Sequence, residues 1–260
     1  MRPDAGGFAP QFGAPATVGA WMSTREGGVS AAPLDSLNLG TAVGDDPAAV
    51  AENRRRFAAR LGGAVPVFLR QVHGTRVVRL RAADAHSGAP EEADASVCTE
   101  PGLACVVQVA DCLPVLFAAP AGRGVAAAHA GWRGLSAGVL EATLAALCRA
   151  AACGPREVEA WLGPCIGPRR FEVGADVLQG FGADPARPPA RFVPHGPGKW
   201  LADLPGLARD RLSAQGVSAS GGGDWCTVED ESRFFSHRRD VARGTRGGRL
   251  AAAVWIGRPD

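Results

Sequence analysis

The sequence lacks most of the short patterns that would assign a function directly. It has no CxxC pair, which argues against a structural zinc knuckle. It also has no glycine-rich phosphate loop and no dinucleotide fingerprint, so a nucleotide cofactor is unsupported. Lysine is nearly absent, with Lys199 as the single instance, and the formal net charge is only +2. Such a charge gives no electrostatic argument for anionic partners, so we expect neither nucleic acid nor a membrane as a partner.

Long hydrophobic runs are missing as well. The most apolar stretch, residues 103–119, is interrupted by Gln108, Asp111 and Pro114 and is too polar for a transmembrane helix. Residues 1–7 contain no apolar segment of the kind that a secretory signal needs. Seven cysteines, an odd number, argue against a disulfide framework in a chain of 260 residues. We therefore expect a cytoplasmic protein.

Strand-like and helix-like segments alternate along the chain. Leucines recur at helical spacing over residues 137–151, and a second helix is predicted to begin at Asp46-Pro47. Because no change in composition interrupts the alternation, we expect a single α/β domain over residues 16–260. Residues 1–15 are rich in Gly, Pro and Ala and are predicted to be a disordered lead-in. Buried strands are predicted at residues 67–73, 103–109, 124–129 and 250–256.

Three short motifs carry most of the chemistry. They are His73 in Gln-Val-His-Gly, Cys112 in Ala-Asp-Cys-Leu-Pro, and His129 in His-Ala-Gly-Trp-Arg-Gly. Each is predicted to lie at the end of a strand, where side chains from distant segments meet in a layered α/β fold. Two imidazoles and one thiolate suit a zinc ion that keeps one position open for water or substrate. The separations are too long for a zinc finger, so the fold has to assemble the site.

Charged neighbours of these motifs are candidates for supporting roles. Asp111, adjacent to Cys112, is expected to shuttle a proton or to orient a ligand histidine. Arg25 and Arg133 are candidates for phosphate contacts, because a guanidinium can bind two oxygens at once. The alternative for each arginine is a surface side chain with no ligand. For Cys112 alone, the alternative is an inert buried thiol.

Seven motifs occur in order at residues 24–30, 37–40, 71–74, 110–116, 129–134, 163–168 and 235–240. Taken together, they resemble one known family, the purine nucleoside phosphorylases once called multicopper polyphenol oxidases or laccase-domain proteins. The match extends from about Trp21 to Trp255. Its ordered combination is specific, although each piece alone is not.

The resemblance implies a single-domain, four-layer α/β/β/α sandwich with mixed sheets, and a zinc held by His73, Cys112 and His129. It implies phosphorolysis of adenosine, inosine, guanosine and methylthioadenosine, deamination of adenosine, and a monomer. In two places the chain departs from the family pattern: His237 replaces the usual Tyr, and residues 245–249 replace a Thr-Gly-Arg. From the motif positions we expect substrate contacts by Arg25, Asn38, Gln71, Arg133, Cys165, His237 and Arg249.

The sequence argues against the older family name. A laccase needs a blue copper and a trinuclear cluster, both built largely from imidazoles, and five histidines cannot supply them. A zinc ion would instead lower the pKa of a bound water to about 7 for attack on C6 of adenine.

Two alternatives remain open at this point. The family fold resembles that of the cytotoxic necrotizing factor deamidases, in which a Cys–His pair is nucleophile and base. Cys112 and His129 would act in that way without a metal, in an amidase for a substrate such as a cell-wall precursor amide. The other alternative is a non-catalytic, metal-bound interaction module.

Overall fold

The computed structural model describes residues 6–86 and 89–257 of the chain. Its helices are α1 Pro47–Ala58, α2 Trp132–Ala137, α3 Val139–Ala151, α4 Ala175–Gly180, α5 Leu204–Ala214 and α6 His237–Ala242. Short 3-10 turns occur at Ala82–His86, Pro120–Gly122 and Pro155–Glu157. The strands are β1 Gly7–Phe8, β2 Val18–Ser23, β3 Val65–Val67, β4 Val77–Arg79, β5 Ala95–Cys98, β6 Leu103–Val109, β7 Leu113–Ala118, β8 Val125–Ala130, β9 Glu159–Leu162, β10 Glu172–Val173, β11 Phe192–Pro194, β12 Trp200–Ala202, β13 Ser218–Gly222 and β14 Leu250–Ile256.

Two large sheets form the centre of the fold. One has five strands in the order β1-β2-β14-β6-β3, and the other has six in the order β13-β9-β7-β8-β5-β4. Both are mixed, because β3 runs parallel to β6 in the first, and β4–β5 and β9–β13 are parallel pairs in the second. A small third sheet has the order β10-β12-β11. The prediction of a single α/β domain with mixed sheets is confirmed.

Alternate residues of the central strands pack into different cores, as the pleat of a strand requires. Val107 and Leu116 belong to a core between the two large sheets. Val115 belongs to a core with the apolar face of α3, and Val106 belongs to a third core with Phe57 of α1. Burial on both faces explains why these strands are almost continuously apolar in sequence. The α/β/β/α layer order remains a prediction, which this distribution of cores supports.

The N-terminal segment differs from the disordered lead-in predicted for residues 1–15. Gly7–Phe8 pairs antiparallel with β2, and the ring of Phe8 lies 5.4 Å from that of Trp225 and 6.3 Å from that of Trp161. Burial of aromatic surface outweighs the flexible composition of this segment. Residues 1–5 of the prediction lie outside the described residues.

Helix α1 begins where the sequence predicts. The Asp46 carboxylate accepts a hydrogen bond from the backbone N–H of Ala48, and Pro47 occupies the first helical position. The helix supplies Phe57 to the core and Arg54 to the cavity described below. No helix in the described part of the chain is long and apolar enough to cross a lipid bilayer.

Candidate metal centre

The pairing of β7 with β8 brings two of the predicted ligands together. These strands are antiparallel, with Leu113 opposite Ala130 and Pro114 opposite His129. Cys112, immediately before β7, therefore lies at the same end of the sheet as His129, which is near the end of β8. The third ligand, His73, comes from the loop between β3 and β4. The ligand atoms of the three residues lie within 4.8 Å of one another, and Cys112 Sγ is 3.7 Å from His73 Nε2.

A fully buried carboxylate that sequence reasoning missed, Asp94, holds both histidines. Its Oδ1 accepts hydrogen bonds from His129 Nδ1, at 2.8 Å, and from the His73 backbone N–H, at 2.9 Å. Its Oδ2 accepts from the backbone N–H groups of Val72, at 3.1 Å, and Gly74, at 2.7 Å. Because Nδ1 of His129 is bonded to Asp94, Nε2 is the ring nitrogen available to a metal, which would displace the proton that Nε2 carries at neutral pH in the metal-free site.

The loop that carries His73 replaces the strand predicted over residues 67–73. Strand β3 ends at Val67, and beyond it only Arg70 forms an isolated bridge, to Glu92. Asp94 takes three consecutive backbone N–H groups that a neighbouring strand would otherwise bind, so the segment does not extend the sheet. His73 itself has φ of 62°, a left-handed conformation that costs a non-glycine residue about 1 kcal/mol or more.

Two glycines of the His129 motif leave room for the site. A Cβ on Gly131 would lie 2.8 Å from His73 Cδ2 and 2.9 Å from Cys112 Sγ. A Cβ on Gly134 would lie 2.9 Å from the carbonyl oxygen of Gly74. The segment after β8 therefore packs directly on the His73 loop, which requires glycine at both positions.

The charges of the centre reinforce one another. Burial disfavours the Cys112 thiolate, but the positive charge of His129 and hydrogen bonds from both imidazoles outweigh it and lower the pKa of Cys112 to about 6. Burial likewise disfavours protonated His129, whereas the Cys112 thiolate and the Asp94 carboxylate raise its pKa to about 9. The site therefore favours a thiolate, the form of cysteine that binds metals.

This donor set fits a zinc ion. Zinc–nitrogen bonds of about 2.0–2.1 Å and zinc–sulfur bonds of about 2.3 Å suit three donor atoms grouped as closely as these. The thiolate and imidazole donors match the preference of zinc, and three protein ligands leave one position open. Within the described residues no second group of three such side chains exists, whereas a multicopper site needs several.

The centre opens into a cavity of about 710 Å³. This volume lies within the range of small-molecule sites. One part of the wall is apolar and includes Phe68, Leu69, Val78 and Leu80. The polar and charged side chains of the wall, besides the three candidate ligands, include Arg54, Arg70, Gln71, Asp84, Glu91, Gln108, His237 and Arg249.

Three of the predicted substrate contacts line this cavity: Gln71, His237 and Arg249. Gln71 is fixed by two hydrogen bonds to the backbone of Gln108, one accepted at 2.7 Å and one donated at 2.8 Å. His237 is the exposed first residue of α6. Arg249 Nη1 donates to the carbonyls of residues 247 and 248, which holds the guanidinium at the wall.

The structure does not bring the other four predicted substrate contacts, Arg25, Asn38, Arg133 and Cys165, into the cavity wall. Arg25 pairs with Asp35 at 3.3 Å, and exposed Arg133 lies over the ring of Trp132 at 4.4 Å. Cys165 is fully buried, and burial raises the pKa of its thiol.

Asn38, also fully buried, has a structural role in its contacts. Its amide nitrogen donates to the Gly40 carbonyl and to Asp45, and its amide oxygen accepts from the backbone N–H groups of Gly40 and Arg249. With both ends of the amide bonded to protein, Asn38 positions Arg249 instead of facing the cavity.

Asp111 does not orient a ligand histidine, since Asp94 makes that contact. The carboxylate of Asp111 accepts hydrogen bonds from Thr227 Oγ1 and from the backbone N–H of Arg238, both at 2.6 Å. Its φ is 83°, so the residue occupies a second strained position beside the metal centre. These contacts tie the start of α6, and with it His237, to the segment that carries Cys112.

Comparison with known proteins agrees with these features. The profile of the family described as multi-copper polyphenol oxidoreductase laccase matches residues 19–257. This chain belongs to that family. It is 51% identical to a purine nucleoside phosphorylase of Pseudomonas aeruginosa over 250 residues, which cover 96% of this chain and 98% of the relative. It is 50% identical to the purine nucleoside phosphorylase YfiH of Escherichia coli over the same shares of both chains.

Solved structures of the family have the same fold. The Neisseria meningitidis protein NMB0706 superposes with a TM-score of 0.88 at 45% identity, covering 97% of this chain and 100% of the other. YlmD from Geobacillus stearothermophilus gives a TM-score of 0.87 at 32% identity, covering 99% and 98%. The family membership inferred from the sequence motifs is confirmed.

Proposed function

We propose that this protein is a zinc-dependent purine nucleoside phosphorylase that also deaminates adenosine. The observation that carries the proposal is the convergence of His73, Cys112 and His129 on one cavity of nucleoside size. The names of relatives at 50% and 51% identity support the phosphorylase activity. We propose adenosine, inosine, guanosine and methylthioadenosine as substrates, and a monomeric, cytoplasmic enzyme.

The residues of this chain would prepare both reactions by holding groups in place. Asp94 fixes the tautomer of His129, and Gly131 leaves space between the other two ligands. A zinc ion bound there would supply Lewis-acid chemistry at one open coordination position. The apolar wall around Phe68 suits a purine ring, and Gln71 and Arg249 offer polar groups for the sugar or phosphate.

The two reactions make different demands on the cavity. In phosphorolysis the bond from the base nitrogen to C1′ breaks, a phosphate oxygen bonds to C1′, and the departing base takes up a proton. In deamination a water oxygen bonds to C6, and the exocyclic amine leaves as ammonia. Asp111 is our candidate for proton transfer because it adjoins Cys112; its side chain does not line the cavity, and both of its oxygens accept hydrogen bonds from protein groups.

The test is to incubate zinc-loaded protein with adenosine, with and without phosphate, and to separate the products by chromatography. Adenine and ribose 1-phosphate that require phosphate are expected from the phosphorylase, and inosine without phosphate from the deaminase. Cys112→Ala is expected to abolish both. Cys148→Ala, a half-buried thiol on α3 outside the cavity, is the matched control and is expected to retain both. Folded, zinc-loaded protein that turns over no purine nucleoside would contradict the proposal.

One observation favours a second candidate, the metal-free Cys–His amidase. The charge and hydrogen bond of His129, with a smaller contribution from His73, lower the pKa of the Cys112 thiol to about 6, as expected for a nucleophile with His129 as its base. The two candidates separate on zinc-free protein. Ammonia release from glutamine-containing peptides that is lost on alkylation of Cys112 would favour the amidase, and its absence would favour the nucleoside enzyme.

A further inference from the structure

Two arginines in the cavity wall differ from the other sheltered arginines. Arg54 on α1 and Arg249 just before β14 are half-buried, and in the described part of the chain neither has a carboxylate within ion-pair distance. A sheltered guanidinium without a counterion is unfavourable, so an anion in the cavity would stabilise both. The other half-buried or buried arginines within residues 6–86 and 89–257 all have a carboxylate partner: Arg25, Arg56, Arg191, Arg209, Arg211, Arg233 and Arg239.

The segment Asn38–Gly40 fixes both arginines at the wall. The Leu39 carbonyl accepts from Arg54 Nε at 3.0 Å, and the Leu39 N–H donates to the Arg249 carbonyl at 3.0 Å. Asn38 accepts the backbone N–H of Arg249 at 2.8 Å. A Cβ on Gly40 would lie 2.7 Å from Arg249 Cγ, so glycine lets the arginine stem pack against this segment. These contacts give a role to the Leu-Asn-Leu-Gly motif of the sequence.

The end of the Arg54 side chain is left available for a ligand. Its guanidinium lies over the ring of Phe68 at 3.9 Å, and its Nε is used by Leu39, which together fix its plane. The two terminal nitrogens, Nη1 and Nη2, have no hydrogen-bond partner among the described residues. Burial lowers the pKa of Arg54 and of Arg249, as expected where solvent shields their charges poorly.

Arg54 also connects to the metal centre by hydrogen bonds. The Leu39 carbonyl that binds Arg54 accepts a second hydrogen bond from Gln108 Nε2, at 2.7 Å. The backbone of Gln108 is bonded to both ends of the Gln71 amide, and Gln71 lies two residues before His73. The unpaired guanidinium and the metal ligands therefore belong to one continuous wall of the cavity.

We propose that Arg54 and Arg249 form a subsite for inorganic phosphate, with Arg54 binding two phosphate oxygens through Nη1 and Nη2. A planar guanidinium with two free parallel N–H donors matches a tetrahedral oxyanion. The choice of inorganic phosphate as the anion rests on the proposed phosphorylase function. The subsite takes the role that sequence reasoning gave to Arg25 and Arg133, which lie outside the cavity wall.

The test measures phosphate binding without a nucleoside, by calorimetric titration of zinc-loaded protein with inorganic phosphate. Arg54→Met is expected to raise the phosphate Kd about tenfold or more, because it removes a charge-assisted bidentate contact. Arg54→Lys keeps the charge but loses the fork, and its Kd is expected to fall between those of the parent and Arg54→Met. The matched control is Arg55→Met, an exposed neighbour on α1 that does not line the cavity and is expected to bind phosphate like the parent.

The outcomes separate the subsite from the proposed function. Arg54-dependent phosphate binding by a protein that cleaves no nucleoside would retain the subsite and refute the phosphorylase. Phosphate-dependent adenosine cleavage with the same KM for phosphate in Arg54→Met and Arg55→Met would retain the phosphorylase and refute the subsite. A parent protein that binds no phosphate would overturn the proposal. So would Arg54-dependent binding of adenosine 5′-monophosphate without binding of inorganic phosphate, because the subsite would then recognise the phosphate of a nucleotide.

Discussion

Replacing Asp94 by Asn should weaken zinc binding and destabilise the fold together. The Asp94 carboxylate accepts four hydrogen bonds, two on each oxygen, whereas an asparagine amide can accept hydrogen bonds only at its oxygen. If the amide oxygen faces His129, the amide nitrogen opposes the N–H groups of Val72 and Gly74. If the amide is reversed, its nitrogen donates to His129 Nδ1 and selects the tautomer with a protonated Nε2, which cannot bind zinc.

The expected magnitude follows from the bonds that are lost. At least two hydrogen bonds to a charged acceptor disappear, each worth about 1.5–3 kcal/mol, so the free energy of unfolding should fall by about 3 kcal/mol or more. For a domain of this size that corresponds to a decrease in Tm of about 6–12 °C. The zinc Kd should rise about 10–100-fold, the usual effect of removing the carboxylate partner of a ligand histidine.

Chelator competition measures the zinc Kd, and thermal denaturation of the zinc-free protein measures stability. The same change at an exposed site, Asp210→Asn, is the control. Asp210 pairs with Arg191 on the surface, so its loss should cost about 1 kcal/mol or less and leave the zinc Kd unchanged. Asp94→Asn protein with the zinc Kd and Tm of the parent would refute the role assigned to this carboxylate.

Three further predictions concern the cavity. Iodoacetamide should alkylate Cys112 of the zinc-free protein before Cys165, and zinc should slow the reaction of Cys112. The rate for Cys112 should level off above pH 7, because the pKa of its thiol is about 6. Peptide mapping that finds equal alkylation rates for the two cysteines would contradict this prediction. Gly131→Ala should lower zinc stoichiometry by metal analysis with the circular dichroism unchanged, since its Cβ would lie 2.9 Å from the Cys112 sulfur. Arg249→Met should lower kcat/KM for adenosine about tenfold or more, and exposed Arg133→Met should change it less than about twofold; the reverse order would exclude our placement of the substrate.

The clustering of the three candidate ligands could be predicted because each is a polar residue at the end of an apolar segment, followed by a glycine or proline within two residues. In an antiparallel pair such as β7 and β8, the start of one strand lies beside the end of the next, so Cys112 and His129 lie at the same end of the sheet. His73 was predicted for a partly mistaken reason, because the strand expected over residues 67–73 ends at Val67. The apolar run there indicated burial correctly, but periodicity alone does not distinguish a strand from a buried loop.

Asp94 and Arg54 show what the sequence could not indicate. Asp94 follows Glu91-Glu92-Ala93, a context typical of a solvated charged segment, and its partners lie about 20 residues before it and 35 residues after it. Arg54 is one of three consecutive arginines on α1, and helix periodicity does not reveal which of them faces a cavity. Conversely, Arg25 and Arg133 adjoin motif residues in sequence but lie away from the cavity wall, because adjacent side chains on a helix or in a turn point in different directions.

The segments that carry His73, Cys112 and His129 are held in place by contacts with one another and with Asp94. The His73 loop has little sheet pairing of its own and depends on the Asp94 carboxylate for its backbone hydrogen bonds. Asp94 is in turn fixed to β8, since its carbonyl accepts the backbone N–H of His129 at 2.7 Å. Gly131 and Gly134 bring the segment after β8 into contact with the same loop. Each contact positions a candidate ligand and also completes the packing, so the surrounding structure supports the strained φ angles of His73 and Asp111. Rigid support of this kind lowers the ordering cost of binding, which is what a site for both a metal and a small substrate requires.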